Sequence, residues 1–118
     1  MLTLAEIFSD FAAYLGSAPE VNVTTCGPNG ETSLHWMATL GDVNAVCLLV
    51  AAGAEVAATD HKGNTPLHEA VAYRQTPAAK TLIELGANVS VCNVFGQTPQ
   101  DIARSDSYSP TIALFTEH

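Results

Sequence analysis

The chain is short of positive charge. Four Lys and Arg stand against twelve Asp and Glu in 118 residues, for a formal net charge of −8. Nucleic acid presents phosphates that demand a basic surface, so this balance argues against a nucleic-acid partner. It favours a basic protein partner or plain solubility. The acids are spread along the chain rather than gathered in one block. Long apolar runs are also missing: no stretch reaches the ~18 uninterrupted apolar residues of a membrane-spanning helix. Low-complexity tracts and linkers are absent, and with 47% apolar and 14% charged residues the composition is that of one ordered globular domain. No basic segment precedes the first apolar residues, which Glu6 and Asp10 interrupt. A secretory signal is therefore not expected, and cytoplasmic residence is the default.

Catalytic phrases are lacking as well. Gly63-Asn64-Thr65 is not followed by the second glycine and Lys-Ser/Thr of a phosphate loop. No Ser, Cys or carboxylate stands beside a base in a recognisable nucleophile phrase. His61 and His118 join no cluster with metal-ligand spacing. Neither an enzyme, a cofactor nor a metal site is expected.

What is present is a repeat. Gly30-Glu31-Thr32-Ser33-Leu34-His35, Gly63-Asn64-Thr65-Pro66-Leu67-His68 and Gly96-Gln97-Thr98-Pro99-Gln100-Asp101 follow one another at intervals of 33 residues. Gly53-Ala54-Glu55-Val56 returns 33 residues later as Gly86-Ala87-Asn88-Val89. A fixed period of this length marks one structural unit copied and stacked. Thr32, Thr65 and Thr98 can each cap the start of a helix, with Pro66 and Pro99 at the first helical position. Val43, Val46, Cys47, Leu49 and Val50 are spaced like one helical face, with Gly53 as a stop. That spacing makes Cys47 a small core residue. The polar segment Asp60-His61-Lys62-Gly63 reads as a projecting turn. One such unit cannot bury its own apolar face; stacked neighbours do.

These phrases resemble the ankyrin repeat, over about residues 20–104 firmly and the two ends more loosely. The resemblance implies an all-α solenoid of helix-turn-helix units with projecting β-turn or hairpin fingers. The expected layout is a single domain, 1–118, with a partial capping repeat at 1–29, repeats at 30–62 and 63–95, and a C-terminal repeat at 96–118. Thr3 with Glu6 forms a capping-box pattern ahead of Leu4, Ile7, Phe8, Phe11 and Leu15, which fall at helical spacing. Ile112, Leu114 and Phe115, after Pro110, could form the last second helix. Gln100 and Asp101 replace the family's Leu and His, a polar swap that suits a terminal repeat. Cys26 and Cys92 occupy one repeat position two units apart. With helices ~8–10 Å apart they stand about 20 Å from each other, beyond the ~7 Å reach of a disulfide.

The resemblance assigns His35 and His68 to tying neighbouring repeats together, not to catalysis. It places binding on the finger tips and the exposed concave side of the first helices. The candidate partner-binding residues are Glu31, Trp36, Leu40, His61, Lys62, Asn64, Glu69, Tyr73, Val94, Phe95, Gln97 and Asp106. Leu40 and Tyr73, in one slot, would form an apolar stripe on the concave side. Trp36 packs by the better reading, whereas Phe95 either stands exposed as an interface anchor or folds back on its own repeat. Glu69, in the slot of Trp36, gives up packing area and with Glu31, Asp60 and Asp106 could receive Lys or Arg from a partner. Arg74 stands where the first repeat has Gly41, so the loop through Gln75, Thr76 and Pro77 is expected to turn differently. The expected function is a protein-binding module: a small acidic inhibitor or immunity-type protein that occludes a partner, for example a basic toxin such as a nuclease, and is monomeric when free. The alternative is a scaffold or adaptor that assembles its own copies or larger complexes.

Overall fold

The computed structural model describes residues 6–7, 13, 27 and 29–106. Within them five helices are bounded: α1 (Ser33–Leu40), α2 (Val43–Ala51), α3 (Pro66–Ala72), α4 (Thr76–Glu84) and α5 (Pro99–Asp106). Each odd-numbered helix begins at a threonine of the repeated phrase. Thr32 accepts from the His35 N–H, and the Thr32 N–H is in turn accepted by the His35 ring; Thr65 and His68 repeat the arrangement. This is a capping box with histidine in the usual Glu or Gln position. In the third phrase Asp101 takes over: its carboxylate accepts from the Thr98 N–H at 3.0 Å, and Thr98 Oγ1 accepts from the Asp101 N–H at 3.1 Å. The polar swap thus keeps the cap.

The first helices α1, α3 and α5 lie side by side, and α2 and α4 pack together behind them, so α3 touches α1, α4 and α5. Leu34, Met37, Leu49, Leu67, Val71 and Leu82 are fully buried among Ala38, Ala45, Ala70, Ala78, Ala79 and Ala103. The alanines let neighbouring helices approach closely, and the core is one seam running through the stack. Among the described residues no helix is long and apolar enough to cross a membrane.

The N-terminal helix expected at residues 3–15 is described only at Glu6, Ile7 and Ala13, which are helical, and Ile7 is completely buried. Pro110, Ile112, Leu114 and Phe115 lie outside the described residues, as do Cys26 and Pro28.

Two expectations are corrected. Cys47 is exposed, not part of the core. The buried face of α2 is Ala45, Val46 and Leu49, with Val43 and Val50 at its margins, so Cys47 falls one position beyond the seam. The turn at Arg74 does not differ from the turn at Gly41. Arg74 adopts φ 59°, beside φ 75° at Gly41. The same two closing bonds recur: Gly41 N–H to Ala38 O and Asp42 N–H to Met37 O, then Arg74 N–H to Val71 O and Gln75 N–H to Ala70 O. The helix end dictates the left-handed residue, and arginine accepts a strain of about 1–2 kcal/mol to supply it.

Candidate protein-binding groove

Three fingers project ahead of α1, α3 and α5. Each closes by a pair of backbone bonds: Gly27 N–H to Glu31 O, Asp60 N–H to Asn64 O and Asn93 N–H to Gln97 O, with the finger glycine turning back on the first residue. A side chain stiffens each loop. Asp60 Oδ1 accepts from the N–H groups of Lys62 and Asn64, both at 2.9 Å. Asn93 Oδ1 does the same for Phe95 at 2.9 Å and Gln97 at 3.0 Å. The first finger has Gly27 in that slot, and there Glu31 Oε2 accepts from the Asn29 N–H at 2.9 Å instead.

The fingers also pair sideways. His61 donates its N–H to Asn29 O at 2.8 Å, and Val94 to Lys62 O at 2.9 Å. Gly63 sits where they meet: its φ is +75°, and a Cβ there would stand 3.1 Å from Asn93 Cα. Only glycine meets both demands. The buried histidines anchor each finger to the helix before it. His35 Nε2 donates to Asn64 O at 2.8 Å, and His68 Nε2 to Gln97 O at 3.0 Å. Because Nδ1 of each ring accepts from the cap threonine N–H at 3.1 Å, both rings are held neutral with the proton on Nε2. Burial is the main cause that keeps their pKa below the ordinary 6.5.

Between the fingers and the first helices runs a groove of about 790 Å³. Glu31, Trp36, His61, Lys62, Asn64, Glu69, Tyr73, Phe95 and Gln97 line it. Leu40 and Val94 are exposed but stand outside it, so the concave stripe expected of Leu40 and Tyr73 is reduced to Tyr73. Asp106 closes α5, and its side chain lies outside the description. Trp36 is half-buried against the core while still lining the groove. Phe95 does not fold back: it is 69% exposed.

The groove floor holds one pairing that sequence reasoning missed. Glu69 and Asp60 both line that floor, and burial, reinforced by the Asp60 charge and then by hydrogen bonding to Asp60, raises the Glu69 pKa above its ordinary 4.5. Two carboxyls can share a hydrogen bond only while one keeps a proton. Asn93 and Ile102 also line the groove without having been singled out. The register carried the signal, since Asn93 repeats Asp60 and Ile102 repeats the slot of Trp36 and Glu69. Among the described residues no three or more His, Cys, Asp or Glu side chains gather as a metal ion would require.

Helix pairs stacked in one row, each preceded by a finger tied to its neighbours, define a repeat protein whose groove is made jointly by successive units. The family model for ankyrin repeats, in three copies, matches residues 5–106, and the chain belongs to the ankyrin-repeat family. None of the curated proteins matches it. Ankyrin repeats are generally non-catalytic modules that bind other proteins.

Proposed function

We propose that this protein is a small cytoplasmic inhibitor, of immunity type, that is monomeric when free and occludes a basic partner protein by seating part of it in the groove. The observation that carries the reading is the groove's make-up. Trp36, Tyr73 and Phe95 offer aromatic surface around a floor containing Glu31, Asp60 and Glu69, and Tyr73 and Phe95 are 59% and 69% exposed. Exposed aromatics beside partly desolvated carboxylates suit an interface in which a few anchors supply most of the energy and cationic side chains find charge-assisted partners. A net charge of −8 speeds approach of a basic partner.

Replacing Phe95 and Tyr73 together by Ala tests the reading. Both side chains are mostly exposed, so the thermal midpoint should stay within about 2 °C, because surface changes cost little. Affinity for the partner should fall by at least tenfold, the order expected when interface anchors are truncated, and inhibition should fall with it. Undiminished binding of the double variant would remove the groove from consideration. The exposed Leu40 and Val94, outside the groove, favour a second reading as an assembly scaffold. Light scattering separates the two, since self-assembly requires a mass that rises with concentration.

A further inference from the structure

The three fingers differ in the residue ahead of the finger glycine: Asn29 before Gly30, Lys62 before Gly63 and Phe95 before Gly96. Only the first of these carries a side-chain amide. Of the six asparagines in the chain, the other five precede Val23, Ala45, Thr65, Val89 and Val94, whose side chains crowd the peptide nitrogen that follows the asparagine. Gly30 has no Cβ and leaves its nitrogen open to the Asn29 side chain. Asparagine is thermally labile, and this geometry is where the lability is greatest. Gly30 N, on losing its proton to hydroxide, attacks Asn29 Cγ. A C–N bond forms and closes a five-membered imide, while the side-chain nitrogen takes a proton from water and leaves as ammonia. Water then opens the imide at either carbonyl, giving aspartate or isoaspartate, and nothing is oxidised or reduced.

The folded finger holds the reacting groups back. The proton that must leave is the one that Gly30 N–H donates to Gly27 O at 2.9 Å, and Asn29 O, on the same peptide plane, accepts from the His61 N–H at 2.8 Å. Attack ends the first bond, and any turn of the plane towards Asn29 Cγ ends the second as well. The Asn29 N–H is fixed in turn by Glu31 Oε2 at 2.9 Å. Gly30 is itself buried, with His61 so close that a Cβ there would stand 2.7 Å from its ring. Asn29, by contrast, is exposed and lines the groove. The labile amide is accessible while its attacking nitrogen is shut in, so the reaction waits on opening of the first finger.

We infer that Asn29 is a modification site, converted without an enzyme to aspartate or isoaspartate at a rate set by opening of the first finger. The product alters the groove in two ways. Aspartate puts a further carboxylate in the groove that Glu31 and Asp60 line. Isoaspartate lengthens the main chain by a methylene at this point and displaces the tie from Asn29 O to the second finger. The chemistry needs no partner in the groove, so it holds or fails apart from the inhibitor reading.

The full-length protein, incubated at mildly alkaline pH with and without urea and mapped by mass spectrometry at intervals, tests this. In urea Asn29 should convert while the other five asparagines persist, and Gly30→Ala should slow that conversion several-fold. In native buffer Asn29 should convert more slowly than in urea by about tenfold or more, since reaction proceeds through local opening. Glu31→Ala, which removes the acceptor for the Asn29 N–H, should speed the native reaction and leave the urea rate unchanged. Intact Asn29 in urea would overturn the site, and equal rates at Asn64 or Asn88 would overturn its selectivity. A native rate equal to the urea rate would overturn gating by the finger. So would a native rate untouched by Glu31→Ala, in a variant whose far-UV circular dichroism matches the parent's. Where that variant loses its helical signal, the native and urea rates of the parent decide alone.

Discussion

A histidine with both ring nitrogens committed to backbone and cap has no room for a second ring proton. Nδ1 of His35 and of His68 is filled by the cap threonine, and Nε2 is spent on the next finger. Protonation would break the cap, and burial opposes the charge. The unfolded chain therefore binds protons that the native state refuses, and stability falls as pH drops below 6.5. Glu69 runs the other way. Its native pKa is raised by burial and by Asp60, so the native state holds a proton that the unfolded chain has released, and stability falls as pH rises above 4.5 through the native value. Glu69→Gln keeps a donor for Asp60 without a second charge. Its urea midpoint at pH 7 should exceed the parent's, and the gain should vanish near pH 4; a midpoint below the parent's at pH 7 would show that the ionised pair is stabilising. The histidine roles were legible through the family phrase. The carboxyl pair was legible only as an oddity, a Glu in the slot that holds Trp36 and Ile102, because no spacing rule brings Asp60 and Glu69 together until the finger folds onto its helix.

At the scale of the element, sequence signals worked where chemistry changes sharply and failed where it does not. Threonine and proline at helix starts are such changes, and all three caps stand where the phrase put them. In α2, by contrast, every residue but Asn44 is apolar, so hydropathy gives the helix no phase and does not separate the exposed Cys47 from the buried face beside it. Arg74 is the complementary case: the preference of arginine against left-handed backbone points to a different turn, whereas the helix end imposes φ 59° regardless. The first phrase has Ser33 where the others have Pro66 and Pro99. Ser33 is fully buried, and among the described residues its hydroxyl has no hydrogen-bond partner, an omission worth about 1–3 kcal/mol. Thr32 at φ −98°, ψ 171° already has the extended backbone that precedes proline, nearly that of Thr65 at φ −87°, ψ 168°. Ser33→Pro should therefore stabilise the chain by about 1 kcal/mol and raise Tm by about 4 °C. A lower Tm in scanning calorimetry would show that the Ser33 pocket cannot take the pyrrolidine ring that the Pro66 site accepts.

On the scale of the whole molecule, the stack is one-dimensional, and stability passes through whichever unit touches most neighbours. That unit is α3, which packs on α1, α4 and α5, while His35 and His68 lock fingers on both sides of it. Leu67, completely buried on α3, therefore sits where the two repeat interfaces meet, and Leu67→Ala should cost about 2–5 kcal/mol. The size of the loss matters less than how it spreads. If repeats were independently stable, damage in the middle would leave the first unit standing; with single units unable to bury their own apolar face, the array should unfold together. Trp36 is the single tryptophan and reports the first repeat, whereas far-UV circular dichroism reports every helix. In urea the two midpoints should coincide in the parent protein and shift down together in Leu67→Ala. A tryptophan midpoint that stays behind while the helical signal moves would mean that the N-terminal unit holds itself up, and that the seam from Ile7 to Ala103 is two cores rather than one.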